Sequence, residues 1–466
     1  MMKDKRLSFL AIMLLFAAVF LAVSTVKPVF ASSESGTGTD QVELVVRPLV
    51  ILNYSAVPGQ MFEVSINVTA LGTLNLHGFT MNLGYDPTIV SCTNVTFVGN
   101  IFTGFSVNAS YGIDSSAGNV YASVTLTSQN ETVNNNGTLL TLQFQVKGTG
   151  KTGFHIYDAV LYDPEGVPIQ FTSYDGYFNN EFIFDLTMPL TLLAVTFASM
   201  FLNPKVENKL KGVFEETEFQ VRDAVLLVGV MAVMITLIVI VRQLSTVLTV
   251  LFLFAYSLLL YTFGYLLANK RWYVGIIAPA VFILLYVFLR NSFIWTIYLS
   301  NVYGLVFAIL ITLYLAGLFN WKTTAVFGVL ITAMDIILVL VTKTMVQAAS
   351  AAVSLSLPVL VQLPLVPVIS TGAGLLVLGL GLGDFFFAGL LAIQTYKKYG
   401  KRLAVASVVG MTISFSIFEA LILTYNIGAF PGTLMIICGW VPFVAAQTLR
   451  NRRKAKDVKL EQVVPS

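Results

Sequence analysis

Two kinds of hydrophobic pattern divide the chain near residue 185. Before that point apolar positions recur every second residue. Phe62, Val64, Ile66 and Val68 alternate with Glu63, Ser65 and Asn67, and Val120, Ala122, Val124 and Leu126 alternate with Tyr121, Ser123 and Thr125. Leu140, Leu142, Phe144 and Val146 repeat the pattern. Period two puts one face of a strand in a core and the other in water. Turn signals punctuate these runs at Val57-Pro58-Gly59, Tyr85-Asp86-Pro87, Asn136-Gly137 and Asp163-Pro164-Glu165-Gly166. Together they predict an all-β sandwich over 40–180.

After residue 185 the apolar positions become continuous. Crossing about 30 Å of hydrocarbon takes roughly 20 helical residues. Runs of that kind fall near 186–203, 223–241, 244–267, 272–289, 293–317, 323–342, 372–395, 403–425 and 430–448. They predict an all-α bundle of nine transmembrane helices over 186–448. The first run is the weakest, being short and holding Pro189. The connection from 343 to 371 is apolar but broken by Pro358, Pro364 and Pro367. It is expected to rest on membrane or protein, where it could shelter a site or offer an extended edge.

Composition agrees with this division. Of 466 residues, 56% are hydrophobic and 11% charged, against about 25% charged in soluble domains. Two cysteines, Cys92 and Cys438, fall one in each half and give no disulfide framework. Two histidines, His77 and His155, form no zinc-ligand pattern. No metal or cofactor is expected.

The chain opens with Lys3, Lys5 and Arg6, then an apolar run from Leu7 to Val23, then Val29-Phe30-Ala31 before Ser32. This predicts a signal peptide over 1–31, cleaved after Ala31. With the sandwich outside, the inner segments would hold seventeen Lys and Arg, among them Lys205, Lys270, Lys397, Lys401 and Arg450, and the outer loops only Arg242, Arg290 and Lys343. That bias follows the positive-inside rule. It predicts a multi-pass protein of the cell membrane, with its N-terminal domain extracellular and its C-terminus cytoplasmic. The basic tail over 449–466 fits anionic lipid rather than nucleic acid. Six N-x-S/T sequons, at Asn53, Asn67, Asn94, Asn108, Asn130 and Asn136, all lie in the sandwich half and are glycosylation candidates.

Acidic residues inside the spans are the candidate chemistry. Asp335, Asp384 and Glu419 fall within apolar runs that contain no mid-span Lys or Arg. An Asp at a helix centre costs about 2.5–3.5 kcal/mol on insertion scales. Asp335 and Asp384 sit near the middle of their spans and could meet at one depth. Two adjoining carboxyls share a proton, so that one can activate water and the other polarise a carbonyl. Glycines ahead of Asp384 would let a substrate backbone approach.

Two resemblances add to this reading. Val57-Pro58-Gly59-Gln60, the segment from Gly78 to Pro87 and the late strand Leu140–Val146 resemble a cohesin module. That resemblance implies a jelly-roll sandwich binding a dockerin-like protein, with a polysaccharide as the other ligand class; a spacer with no ligand is the alternative. In the membrane half, Gly381-Leu382-Gly383-Asp384 resembles the G-x-G-D of the presenilin and signal peptide peptidase family, archaeal members in particular. Asp335 takes the place of that family's Tyr-Asp aspartate, with Met334 replacing the tyrosine. Pro431 fits the family's Pro-Ala-Leu, whereas Gly432-Thr433-Leu434 departs from it.

The second resemblance implies an intramembrane aspartyl protease. Asp335 and Asp384 would be catalytic, and Gly381, Gly383, Pro431 and Leu434 substrate-positioning. Its substrates would be single-span membrane proteins within the lipid bilayer. Two rivals stand beside it. One is a non-catalytic, membrane-anchored surface binding protein. The other is a proton- or ion-coupled transporter that also needs Glu419.

Overall fold

The structure, a computed structural model, describes residues 27–30, 42–211, 219–240, 245–345, 347–348, 353, 355–371 and 374–461. Most of the expected signal peptide therefore lies outside the described residues.

Strand β1 (Lys27–Phe30) precedes the sandwich and belongs to a sheet in the helical half. The sandwich begins with β2 (Val42–Arg47), β3 (Val50–Leu52), β4 (Met61–Ala70), β5 (Gly78–Gly84) and β6 (Val90–Thr96). It continues with β7 (Val107–Asp114), β8 (Asn119–Leu126), β9 (Gly137–Val146) and β10 (Lys151–Tyr162). Three short strands close it: β11 (Pro168–Ile169), β12 (Phe171–Tyr174) and β13 (Gly176–Asn179). One sheet runs β12-β2-β4-β9-β6; the other runs β3-β13-β10-β5-β8-β7, with β11 beside β10.

The alternation read from the sequence decides which side chains enter. Val64, Ile66 and Val68 of β4 meet Leu140, Leu142 and Phe144 of β9 and Val120, Ala122 and Val124 of β8 in one core. The pattern misses Leu139, which is buried beside Leu140 because the β4–β9 register shifts between Ile66 and Asn67. Such a bulge sets two residues against one, so neighbours can share a face. The Tyr85-Asp86-Pro87 turn is fixed by the Asp86 carboxylate, which accepts from Thr88 N at 2.9 Å and Thr88 Oγ1 at 2.6 Å. Those donors hold its pKa below the usual carboxylate range.

The helical half contains α1 (Thr187–Lys211), α2 (Val221–Ile240), α3 (Ser245–Leu267) and α4 (Ile277–Leu289, after a short turn at Trp272–Gly275). There follow α5 (Ser300–Ala316, after a π-helical turn at Ile294–Leu299), α6 (Trp321–Ile336) and a second π-turn at Ile337–Val341. The last helices are α7 (Leu382–Tyr399), α8 (Lys401–Thr424) and α9 (Gly432–Glu461). Among the described residues seven helical segments are long and apolar enough to cross a membrane, against nine expected.

The expected span at 372–395 is not one helix. Its first part is strand β16 (Gly374–Gly381), paired with β14 (Leu360–Pro364) and β15 (Ser370–Thr371), and only then does α7 begin. An apolar run without period fits strand or helix alike. Here Gly374, Gly379 and Gly381 weaken the helix, and β14 supplies the ladder that satisfies an extended backbone. Pro189 does not interrupt the first span, because it falls in the opening turn of α1, where no intrahelical N–H is lost.

Each half has its own core, and the two meet at one seam. Leu52, Tyr177 and Ile183 from the sandwich end pack into the bundle's hydrophobic cluster. Thr424, at the end of α8, accepts from Ile183 N at 3.1 Å and donates back to Ile183 O at 3.2 Å. Tyr54 stands edge-on to Tyr425, ring centres 5.8 Å apart. At the other end of the bundle Lys397 pairs with Glu207 at 3.0 Å and Lys398 lies over the Trp321 ring.

Candidate functional site

Three helices converge on the two aspartates. Helix α6 starts from a capping box, in which Asn320 Oδ1 accepts from Thr323 N and Thr323 Oγ1 from the Asn320 backbone. It delivers Asp335 one residue before its end, where the backbone slips into the π-turn. Such turns are rare and recur at functional sites. Helix α7 begins at Leu382 with Gly381 as its N-cap, so Asp384 stands in the first turn, where aligned backbone N–H groups favour negative charge. Both carboxyls are buried, Asp335 at 1% and Asp384 at 0% exposure.

The start of α9 joins them. Thr433 donates through Oγ1 to Asp335 Oδ2 at 2.6 Å and through its backbone N–H to the same oxygen at 3.3 Å. The neighbouring Gly432 faces Asp384: a Cβ built on it would lie 2.5 Å from Oδ1, 2.7 Å from Cγ and 2.8 Å from Oδ2. Consecutive residues of one helix start thus touch the two acids. In the sequence alone Gly432 and Thr433 are only departures from a family pattern. The signal that could have found them is a hydroxyl and a missing side chain just after Pro431.

The other expected site residues are placed nearby. Gly381 closes the β16 ladder opposite Leu360, and Gly383 is buried in the first turn of α7. Pro431 is buried and its carbonyl accepts from Met435 N at 3.4 Å, while Leu434 is half-buried. Glu419 belongs elsewhere: it is buried on α8, within electrostatic reach of Asp185. Asp185 caps α1 by accepting from Thr187 N and Met188 N, and its Oδ1 also accepts from Val366 N at 2.8 Å.

On the sandwich, Tyr157 of β10, Asn82 of β5 and Tyr121 of β8 stand side by side in register. Both tyrosines are more than 40% exposed. They form an aromatic row on the outward face of that sheet, ringed by Ser123, Thr80 and Ser110. Of the sequon asparagines, Asn94, Asn108, Asn130 and Asn136 are exposed and Asn53 and Asn67 half-buried. Asn136 is also structural, its amide bridging both backbone groups of Ala70. His77 is bonded to the Glu131 carbonyl and His155 to Asp175.

Residues 49–167 match the family model of the cohesin domain. Among solved structures, the chain is similar to a non-cellulosomal cohesin from Archaeoglobus fulgidus, with 12% identity over 30% of this chain and 89% of that one, at a TM-score of 0.24. It is similar also to the cohesin–dockerin complex Coh-OlpC-Doc435 from Clostridium thermocellum (15% identity, 31% and 97% covered, TM-score 0.26). A type II cohesin domain from the cellulosome of Acetivibrio cellulolyticus gives 19% identity, 30% and 96% covered, and a TM-score of 0.26. No curated protein matches the chain. The chain thus joins a cohesin-like β-sandwich, matched over 49–167, to a helical half that carries several membrane-capable helices.

Proposed function

We propose that this chain is a membrane-anchored surface protein whose cohesin domain binds a protein partner outside the cell, a dockerin-like module being the expected class. The observation that carries this reading is the cohesin match over 49–167. The Tyr157–Asn82–Tyr121 row suits such a partner, because exposed tyrosines on a rigid sheet give large contact area at small entropic cost. An anchor tyrosine typically contributes about 2 kcal/mol or more, so Tyr121→Ala or Tyr157→Ala alone should weaken binding about 30-fold, and the double variant more. Titrating the full chain in detergent with dockerin modules, and separately with polysaccharides, tests this. Equal affinity of wild type and double variant would move the interface to another face, and polysaccharide binding alone would overturn the protein partner.

A second reading applies to the bundle: hydrolysis of a peptide bond within the membrane by Asp335 and Asp384. It is supported by the contact of adjoining residues Thr433 and Gly432 with the two carboxyls. One ionised carboxyl takes a proton from water, whose oxygen adds to the scissile carbonyl carbon while the other carboxyl donates to the carbonyl oxygen. Collapse breaks the C–N bond and the proton passes to the leaving amine, so neither metal nor cofactor is consumed. Single-span membrane helices, locally unwound, are the substrates of this reading. Reconstitution with a labelled single-span reporter tests it: Asp335→Asn and Asp384→Asn should each abolish cleavage and Glu419→Gln should keep it. Cleavage indifferent to both aspartates would leave the binding function alone.

A further inference from the structure

Strand β16 has two edges. One is taken by β14. The other carries β1, a four-residue strand from the N-terminal leader of this same chain, antiparallel with Lys27 opposite Gly379, Pro28 opposite Leu378, Val29 opposite Val377 and Phe30 opposite Leu376.

The hydrogen-bond parity of β16 fits that occupant. Leu376 N donates to Ile369 O, Leu376 O accepts from Leu365 N, and Leu382 N donates to Val359 O. Backbone groups alternate sides along a strand. The even-numbered residues of β16 therefore bond toward β14, and Val377 and Gly379 bond toward β1. Lys27 and Val29 meet these bonding positions, whereas Pro28 meets Leu378, whose own groups point away. The missing proline N–H thus falls where the ladder asks for none.

Direction matters as much as parity. Strand β16 runs straight into α7, so Lys27 pairs with a residue only five positions before Asp384. Because β1 is antiparallel, its Lys27 end lies toward the aspartate and its Phe30 end away from it. A polypeptide added to this edge enters as an extra strand, and β1 already fills the place.

We propose that Lys27–Phe30 is a cis-acting cap: it holds the open edge of β16 and excludes any other extended chain from the approach to Asp384 for as long as the leader stays attached. The cap regulates the hydrolytic site of the second reading above and rests on it for its consequence, though not for its test. The leader boundary expected after Ala31 then has a second role, because removing residues 1–31 would remove the cap.

The test uses the full chain in lipid vesicles, with Ala31→Trp to keep the leader attached and Cys438→Ser to clear the background. Phe30→Cys with Leu376→Cys joins a non-hydrogen-bonded pair, whose Cα atoms sit about 4.5 Å apart and within disulfide reach; oxidation should cross-link it, while Phe30→Cys with Leu378→Cys should not react. A tethered strand competes at an effective concentration of about millimolar. A micromolar reporter helix carrying one cysteine should therefore cross-link to Leu376→Cys poorly, and at least about tenfold better once Val29→Pro removes an N–H from a bonding position. Pro28→Val should change nothing. Absence of the in-register cross-link, or reporter capture equal with and without Val29→Pro, overturns the cap. Both cross-linking results together with no reporter hydrolysis even by the Val29→Pro variant leave the cap standing and sink the aspartyl reading instead.

Discussion

Replacing Thr433 by Val keeps the branched shape of the side chain and deletes one oxygen. That oxygen donates to Asp335 Oδ2 at 2.6 Å in a site where both carboxyls are almost fully buried. A hydrogen bond to a charged group is worth about 1.5–3 kcal/mol. The backbone N–H of Thr433, at 3.3 Å from the same carboxyl oxygen, remains but is long. At ~1.4 kcal/mol per decade, losing the hydroxyl should slow reporter hydrolysis about 10- to 150-fold. Thr433→Ser restores the donor and should recover most of the rate. The assay is single-turnover cleavage of a single-span reporter in lipid, with thermal unfolding of each variant to separate chemistry from folding. A Thr433→Val rate within about twofold of wild type, or Thr433→Ser as damaged as Thr433→Val, would refute a role for this contact in the hydrolytic site.

Other outcomes follow from separate parts of the molecule. Gly432→Ala would place a methyl 2.5 Å from Asp384 Oδ1; overpacking of this kind costs about 1–3 kcal/mol, and displacement of the carboxyl should lower hydrolysis by about 100-fold, read beside an Asp384→Asn control. Asp185→Ala removes the cap of α1 and orphans Val366 N; the cap alone is worth about 1 kcal/mol, and faster proteolysis in the loop 365–369 is the expected readout. Burial pushes the Cys92 thiol up to about 11. At pH 8 its thiolate is then about a hundredfold scarcer than in the unfolded chain, since each pKa unit is tenfold; Cys92 should resist alkylation until the sandwich unfolds. The sign for stability runs the same way: the contribution is complete below pH 9, where both states hold the proton, and is lost as pH rises from 9 toward 11. A fall in the sandwich's unfolding temperature confined to that alkaline window checks it.

Much of the sandwich was legible because strand burial has a two-residue period and the chain keeps to it: Val120, Ala122, Val124 and Leu126 are buried in turn. Leu139 was not, since a bulge is a property of two strands in register rather than of either sequence. The acids Asp335, Asp384 and Glu419 stand out because charge in an apolar run is costly. What joins them was hidden. Gly432 and Thr433 look like ordinary small and polar residues until α9 sets them beside Asp384 and Asp335. Strand β16 was hidden for another reason: Gly374–Gly381 has the length and apolarity of part of a span, and only its partners β14 and β1 show that it is extended.

The joint between sandwich and bundle bears on mechanics. Ile183 and Thr424 exchange hydrogen bonds, and two residues further along, Asp185 grips Val366 at the end of the β14 strand. A pull on the sandwich therefore meets no slack tether. The tension passes through Ile183 to the end of α8 and through Asp185 to the hairpin that leads into Asp384. Force applied at the surface is delivered as strain on the strand beside the buried acids.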